Sequence, residues 1–184
     1  CLSASLCDAL LEQAGSQQIL AFLECYNVFV VPLDGWRHWY RYHTLFAEAL
    51  RSRLEQTEGD AVSALYLRAS RWYAGQGYLT EAVRYAISAR AWAQAGDLIE
   101  QEYASIWGSS EHAKVRRWIE KLPVEVVRSR PRLCLAYAKT LFMIAPYATI
   151  ENWLRDAKSA LQATVPALTD ETTVPGIPQS ERLE

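Results

Sequence analysis

The sequence has very little net charge and contains no long apolar run. Its 184 residues include 19 Lys and Arg against 21 Asp and Glu, which gives a formal net charge of −2. This balance argues against a general electrostatic attachment of the chain to nucleic acid. No apolar run reaches the length of about 18 residues that spans a bilayer, so we predict no membrane partner.

Cysteine is scarce and follows no pairing pattern. The four cysteines stand at positions 1, 7, 25 and 134, and no two of them form a C-x2-C motif. The spacing therefore argues against a zinc site or a redox pair, and we predict no metal. Cys25 and Cys134 occupy apolar helical positions, which predicts buried free thiols in a cytoplasmic protein.

The chain also lacks the signals of a secreted protein. Its first residue is Cys1 rather than Met, and no basic segment followed by a cleavage site opens the sequence. We interpret the chain as a piece of a longer protein without a signal peptide. The final Leu183-Glu184 is compatible with a cloning scar.

Residue types that carry catalysis are present, but they form no catalytic pattern. They are His38, His112, Glu100, Glu102, Glu111 and the pair Ser109-Ser110. The histidines have no carboxylate or cysteine partner at metal-ligand spacing, so we interpret them as surface residues. The glutamates show no environment of a paired-carboxylate catalyst, and the serines suit a helix cap. We therefore expect no catalytic residue and no enzymatic activity.

What the sequence does contain is enough apolar surface for a packed core, and one region with strand character. Hydrophobic residues make up 51% of the chain and charged residues 22%. The β-branched run over 28–31 predicts a short strand, and Pro32 places it at a sheet edge. Asp34-Gly35 predicts a tight turn, and the alternating aromatic stretch over 36–42 predicts the returning strand.

Two short helices are predicted before this hairpin, over 3–11 and 16–25. Ser3 or Ser5 would cap the first helix and Ser16 the second, with Ile19, Leu20 and Leu23 on one side of the second helix. Two helices followed by a two-stranded hairpin form the end of a winged-helix unit. We therefore predict that residues 1–55 are the C-terminal part of a winged-helix domain, closed by a hairpin and an exit helix.

Helical periodicity continues after the hairpin. The exit helix is predicted over 44–54, with an apolar stripe that includes Leu45 and Leu50. Small residues facing aromatic ones then predict antiparallel helix pairs over 56–164. Residues 66–89 follow tetratricopeptide spacing, whereas the later copies are degenerate. Prolines predict a linker or disordered tail over 165–184. The predicted fold class is thus mostly α: a partial winged helix with a β-hairpin, then an irregular tetratricopeptide-like helical repeat domain.

Three blocks of the sequence carry a family resemblance. They are FLECYNVFVVPLDGWRHWYRYHTLFAEALRSRL, RASRWYAGQGYLTEAVRYAISARAWAQAGDLIE and RRWIEKLPVEVVRSRPRLCLAYAKTL. Their content, order and spacing resemble the large ATP-dependent LuxR-type transcriptional regulators of the MalT kind, which are signal-transduction ATPases. The first block is similar to the end of their winged-helix domain. The other two are similar to the start of their helical sensor region.

The resemblance implies a regulatory fragment that couples a nucleotide switch to effector sensing. In that family an upstream nucleotide-binding domain holds ATP or ADP. The helical repeats bind a small-molecule inducer or a regulatory protein, and a C-terminal helix-turn-helix binds DNA. This chain contains no G-x4-GK[ST] phosphate loop, so we expect no cofactor in this piece and DNA binding only through the missing module.

His43 is the foremost candidate for nucleotide sensing, and Arg41 is the second. The resemblance implies a histidine late in the winged helix that reaches the diphosphate. An imidazole at a helix start can donate a hydrogen bond to a phosphate oxygen, where the helix N-terminus also favours anions. The simpler interpretation is that His43 caps the helix or bonds to Tyr42 or to the backbone.

The aromatic side chains also have two interpretations. Trp36, Trp39, Tyr40 and Tyr42 could stack nucleic-acid bases, but their alternation favours packing against neighbouring helices. The later aromatic residues could line a ligand site, but helical spacing favours core or repeat-interface positions; they are Trp72, Tyr73, Tyr85, Trp92, Trp107, Trp118, Tyr137 and Trp153. Effector-binding residues stay unassigned. One alternative function is a tetratricopeptide-like protein-interaction scaffold with no nucleotide switch, and another is an accessory domain of an enzyme.

Overall fold

The computed structural model describes residues 2–57, 59–105 and 112–164, and in these ranges the chain is mostly helical. The first part contains α1 (Ala4–Leu11), α2 (Ser16–Cys25), β1 (Val30–Pro32), β2 (Tyr40–Tyr42) and α3 (Thr44–Thr57). The second part contains α4 (Gly59–Gly75), α5 (Leu79–Ser88), α6 (Trp92–Ser105), α7 (His112–Ile119), α8 (Val124–Arg128), α9 (Pro131–Leu141) and α10 (Tyr147–Thr164). The predicted fold class is confirmed, because a helix-helix-hairpin unit precedes a series of packed helices.

Several predicted features fall outside the described ranges. They are Cys1, Trp107, the pair Ser109-Ser110, Glu111 and the predicted tail over 165–184. Within the described ranges, no helix combines the length and the apolar character that crossing a membrane requires. Helix α8 begins directly after Pro123, whose fixed φ is compatible with the start of a helix.

Hydrogen bonds from short side chains set the ends of α1 and α2. The Ser3 hydroxyl accepts the N–H of Leu6 at 3.2 Å, which confirms Ser3 as the cap of α1. Ser16 does not cap α2. Gly15 precedes the helix with φ of 112°, and the Ser16 N–H donates instead to the Asp8 carboxylate at 2.9 Å. Asp8 therefore fixes the turn between the two helices.

The hairpin pairs β1 and β2 in antiparallel register, with Val30 opposite Tyr42 and Pro32 opposite Tyr40. Leu2 pairs with the other side of Tyr40 through two backbone hydrogen bonds of 2.7 and 2.8 Å. Within the described residues β2 is therefore flanked on both sides, and β1 lies at the edge. This arrangement confirms the edge position that Pro32 predicted.

Both strands are shorter than the sequence pattern predicted. Asn27 and Phe29 have φ of 50° and 53°, which is incompatible with an extended strand, so β1 begins only at Val30. The Asp34 carboxylate accepts the N–H groups of His38 and Trp39 at 2.9 and 3.1 Å. Because these donors are engaged by the loop, β2 begins only at Tyr40, and the predicted tight Asp-Gly turn is instead a longer loop.

Several residues on the apolar sides of the predicted helices are exposed in the first part of the chain. Ile19 on α2 is 57% exposed, and Leu45 on α3 is 71% exposed. Leu50 is also exposed, so the described residues cover only part of the predicted apolar stripe of α3, at the half-buried Phe46 and Leu54. The α3 helix is held instead by its first turn, where the Phe46 ring packs on Phe29 at 4.8 Å.

The core lies mainly in the second part of the chain. Small residues on α4 and α5 allow these helices to approach closely, and Ala69, Ala82 and Ala86 are buried at their interface. The hydroxyl of the fully buried Ser70 donates to the carbonyl of Ala82 at 2.8 Å, so it carries no unsatisfied polar atom into the core.

A glycine and an arginine join α6 to the segment before α9. The guanidinium of Arg130 lies directly over Gly96, so that a Cβ there would be 2.9 Å from the Arg130 Cζ. Arg130 also donates to the Asp97 carboxylate at 2.6 Å and to the carbonyl of Ala93 at 2.9 Å. Gly96, which is unfavourable inside a helix on propensity alone, is therefore explained by this close approach.

Candidate functional site

His43 lies where the hairpin passes into α3. Its backbone N–H donates to the carbonyl of Phe29 at 2.7 Å, and its carbonyl accepts the N–H of Ala47 at 2.9 Å. The backbone of His43 thus fastens the hairpin to the first turn of the helix. The imidazole is exposed and stands at a helix N-terminus, where the partial positive charge of the backbone favours an anion.

Arg41 lies at the middle of β2, opposite Val31. Burial alternates along this segment: Tyr40 is fully buried and Tyr42 half-buried, whereas Arg41 and His43 are exposed. The alternation of a strand places the two candidate residues on the same outward side of the chain. The structure therefore brings together two groups that can donate hydrogen bonds to an anion, both presented to solvent.

Aromatic contacts stiffen this joint, which we define as residues 29–47. Phe46 on α3 stacks on Phe29 at 4.8 Å and meets Tyr42 edge-on at 5.5 Å. Both partners flank the segment that carries Arg41 and His43. A movement of the hairpin would therefore be transmitted to the start of α3 through direct ring contacts.

The loop of the hairpin reaches the first helix pair. Trp39 meets the rings of Trp72 on α4 and Tyr78 before α5 edge-on, each at 6.3 Å between centroids. This confirms that Trp39 packs against neighbouring helices, and the fully buried Tyr40 confirms the same prediction for its position. Trp36 is the exception: it lies in the loop at 83% exposure, so the packing prediction is wrong there.

A second feature of the helix pairs is an apolar groove between α6, α9 and α10, with a volume of about 700 Å³. We call it the repeat groove. Its floor includes Tyr103 and Ile150, and its walls include Leu135, Phe142 and Tyr147, of which Phe142 and Tyr147 are 69% and 76% exposed. A concave apolar surface of this size is typical of sites for small molecules or partner helices.

Charged groups stand at the rim of the repeat groove. They are Glu100, Arg132 and Lys139. Burial raises the pKa of the Glu100 carboxyl, although the guanidinium of Arg130, 3.6 Å away, and Arg132 act in the opposite direction. The Lys139 ammonium lies 5.9 Å from the centre of the Tyr103 ring. The groove therefore combines an apolar floor with a few charged groups that can orient a ligand.

The remaining titratable residues were considered as possible metal ligands or reactive groups. In the ranges the structure covers, no set of three His, Cys, Asp or Glu side chains is placed to hold a metal ion. Cys134 is buried, as predicted, and burial raises its pKa to about 11. Cys25 is exposed, because it lies at the open side of α2, so its predicted burial is wrong. His38 is exposed, but His112 is half-buried rather than a surface residue.

Two of the glutamates considered in the sequence, Glu100 and Glu102, lie in ion pairs. Glu102 accepts a hydrogen bond from the Lys114 ammonium at 2.7 Å, and Glu100 lies close to Arg130. The aromatic residues that were predicted at core or repeat-interface positions are buried or half-buried, apart from Trp107, which lies outside the described residues. The sequence analysis did not identify Arg130 as the residue that connects α6 to the start of α9. The only signal was its place in the third block of the resemblance, after the Leu-Pro step and directly before Pro131.

Comparisons with known proteins agree with the first part of this description. Residues 1–62 match the family described as the MalT winged helix domain. The chain is similar to the serine/threonine-protein kinase PknK of Mycobacterium tuberculosis and of Mycobacterium bovis, at 33% identity over 165 residues. These residues are 89% of this chain and 15% of the kinase.

The chain is also similar to the HTH-type transcriptional regulator MalT of Yersinia pestis. The identity is 27% over 146 residues, which are 79% of this chain and 16% of the regulator. No solved structure matches the chain. The chain thus spans about 15% of the length of the curated relatives it matches, and the resemblance to MalT-like proteins drawn from the sequence is confirmed.

Proposed function

We propose that this chain is the regulatory joint of an ATP-dependent LuxR-type transcriptional regulator, because residues 1–62 match the MalT winged helix domain family. In this proposal an upstream domain of the longer protein binds ATP or ADP, and the helical repeats bind an effector. The chain transmits the state of one to the other in the cytoplasm. It catalyses no reaction and holds no cofactor of its own, and a separate helix-turn-helix binds DNA.

The observation that carries this proposal is the direct connection between the hairpin and the helix pairs. His43 is tied through its backbone to both the hairpin and α3, and Trp39 packs on α4 and α5. A shift of the hairpin on nucleotide exchange would therefore reach α3 and the first helix pair without an intervening flexible linker. The exposed imidazole of His43, beside Arg41, is suitably placed to donate to a phosphate oxygen.

The repeat groove is the surface that we assign to the effector. Its volume of about 700 Å³ suits a small molecule, and its exposed apolar walls equally suit an amphipathic helix of a regulatory protein. Saturable thermal stabilisation of the longer protein by one compound from a metabolite panel would favour the small molecule. A response only to a protein partner would favour the helix.

The test of the switch is the ADP affinity of the longer natural protein with and without the His43 imidazole. We expect His43→Ala to weaken ADP binding by about tenfold, the effect of losing one charge-assisted hydrogen bond. The matched control is His38→Ala, since His38 is exposed on the same hairpin but lies in its loop. Equal ADP affinities for wild type and His43→Ala would remove His43 from the switch.

A second function is favoured by the identity values. The match to the kinase PknK is 33% identical, against 27% for the regulator MalT. The same joint could therefore control a protein kinase domain in the longer protein rather than a DNA-binding module. A kinase domain encoded in the same gene would select this function, and a helix-turn-helix without a kinase domain would select the first. A gene that encodes neither a kinase domain nor a helix-turn-helix, and no nucleotide-binding domain, would select the protein-interaction scaffold instead.

A further inference from the structure

The cavity between the hairpin loop and the first helix pair has the composition of an aromatic cage. It has a volume of about 530 Å³, and three of the residues that line it are Trp39, Tyr73 and Tyr78. The ring of Tyr78 is nearly perpendicular to both of the others, at 79° to Trp39 and 74° to Tyr73. Because the three rings line the same cavity at large angles to one another, they present aromatic surface to it from more than one direction.

Two carboxylates stand at the same cavity. Asp34 is held in place by the backbone N–H groups of His38 and Trp39, which fix its oxygens at the end of the loop. Glu81 lies in the first turn of α5, and among the described residues it forms no ion pair. Negative charge beside aromatic faces attracts a cation and repels an anion.

One positively charged side chain, Arg84, lies at the rim of this cavity. The guanidinium of Arg84 stands over the ring of Tyr85 at 4.8 Å, and that ring stacks on Tyr73 at 5.3 Å. Arg84 thus occupies a π face next to the cage and leaves the carboxylates more numerous than the cations at the opening. Burial raises the pKa of Tyr73 to about 12, so this wall of the cage is neutral at physiological pH.

We propose that this cavity binds a small organic cation with a quaternary or methylated ammonium group. The bound cation would contact Trp39 from the hairpin loop and Tyr78 and Glu81 from the first helix pair. It would therefore join the two parts of the molecule at a place separate from both the repeat groove and His43. This site requires no nucleotide, so its test does not depend on the switch proposed above.

The test is titration calorimetry on the 184-residue chain, with choline as the probe and its neutral carbon isostere dimethylbutanol as the matched control. Both compounds have the same shape, so the comparison isolates the positive charge. We expect saturable binding of choline at millimolar concentrations or below, and binding of the isostere that is weaker by about tenfold. Equal affinities, or no saturable binding of choline, would overturn the proposal.

Variants assign the binding to the cage. Glu81→Gln keeps the size of the side chain and removes its charge, so we expect it to weaken choline binding several-fold. Trp39→Leu should weaken it by about tenfold, the loss expected for one aromatic face. If Trp39→Leu is unfolded at the temperature of the titration, Tyr78→Leu is used in its place, since Tyr78 is 47% exposed. The control variant is Glu125→Gln, an exposed change on α8, which should bind choline as the wild type does.

Wild-type affinity in Glu81→Gln and in the aromatic variant would place any binding of choline elsewhere and contradict the proposal.

Discussion

The two parts of the molecule are stabilised in different ways. In the winged-helix part, over 2–57, the buried cluster around Leu20, Val30 and Tyr40 is small, and many large apolar side chains on α2, α3 and the hairpin are exposed. In the helix-pair part, over 59–105 and 112–164, a large buried cluster runs from α4 to α9, and a smaller one joins α9 to α10. Helix α1 links them, because Leu6 belongs to the larger cluster while Ala4 and Cys7 pack against the smaller one.

This difference indicates which part can change its conformation. A segment with few buried apolar contacts opens at a lower free energy than a well-packed one. The hairpin and α3 are the weakly packed elements, and they carry the candidate residues Arg41 and His43. The helix pairs are the rigid part of the molecule, and the joint is expected to move relative to them.

The largest expected change in stability tests how closely the helix pairs are packed. Leu133 is fully buried on α9, whereas Leu135, two residues further along the same helix, is 50% exposed. We expect Leu133→Ala to lower the free energy of unfolding by about 3 kcal/mol, because it leaves a cavity in the large cluster. Leu135→Ala should cost less than about 1 kcal/mol. Urea denaturation of both variants measures the difference, and similar losses would show that α9 does not belong to a close-packed core.

The next effect tests the join between α6 and the segment before α9. An added methyl group at Gly96 must displace Arg130 and break its bonds to Asp97 and Ala93, so we expect Gly96→Ala to destabilise by about 1 to 2 kcal/mol. The control is Gly75→Ala, since Gly75 at the end of α4 has open space around it.

A double-mutant cycle completes this test. In the Arg130→Ala background, Gly96→Ala should become neutral or stabilising, because alanine favours a helix by about 1 kcal/mol over glycine once the contact is gone. If Gly96→Ala costs the same with and without Arg130, the clash is not with the guanidinium and this explanation of Gly96 fails.

In the winged-helix part the expected effects are smaller. Removing the α1 cap with Ser3→Ala should cost about 1 kcal/mol, because the N–H of Leu6 loses its acceptor. Ser5→Ala is the control, since Ser5 is exposed inside the same helix and its hydroxyl contacts that of Ser3 at 3.4 Å without being the N-cap. Thermal melting of the two variants gives the comparison. A larger loss for Ser5→Ala would mean that the cap has been assigned to the wrong serine.

The smallest effect is a dependence on acid pH. Hydrogen bonds from Ser16, from its hydroxyl and its N–H, hold the pKa of the Asp8 carboxyl below its usual range. A lowered pKa in the folded state means that Asp8 stabilises the fold above its unfolded pKa and that this contribution is lost as the pH falls through the folded value. Asp8→Asn should therefore flatten the decline of melting temperature below about pH 4. An unchanged acid profile would contradict this role for Asp8.

Local signals in the sequence predicted the helices and strands well. The predictions failed where a long-range contact determines the structure. The cap at Ser3, the edge position of β1 and the small residues of α4 and α5 depend on neighbouring residues or on helical period, so they could be predicted. The strand ends could not, because Asp34 binds N–H groups that would otherwise extend β2.

The same limit applies to exposure and to the candidate sites. Periodicity shows which side of α3 is apolar but not whether anything covers Leu45 and Leu50. The cage around Trp39 joins a loop to a helix pair far along the chain, and the contact of Arg130 with Gly96 is equally distant in sequence. His43 was proposed from a resemblance, and the structure adds its two backbone hydrogen bonds and its exposed imidazole.

The central claim is that the joint over 29–47 changes with nucleotide while the helix pairs stay rigid. Hydrogen exchange of the longer natural protein, compared between its ADP-bound and ATP-bound states, tests this most directly. We expect faster or slower exchange in peptides that contain the His43 N–H and the first turn of α3, with no change in α9 over Pro131–Leu141. Identical exchange of the joint in both states, or equal changes in the joint and in α9, would contradict the account.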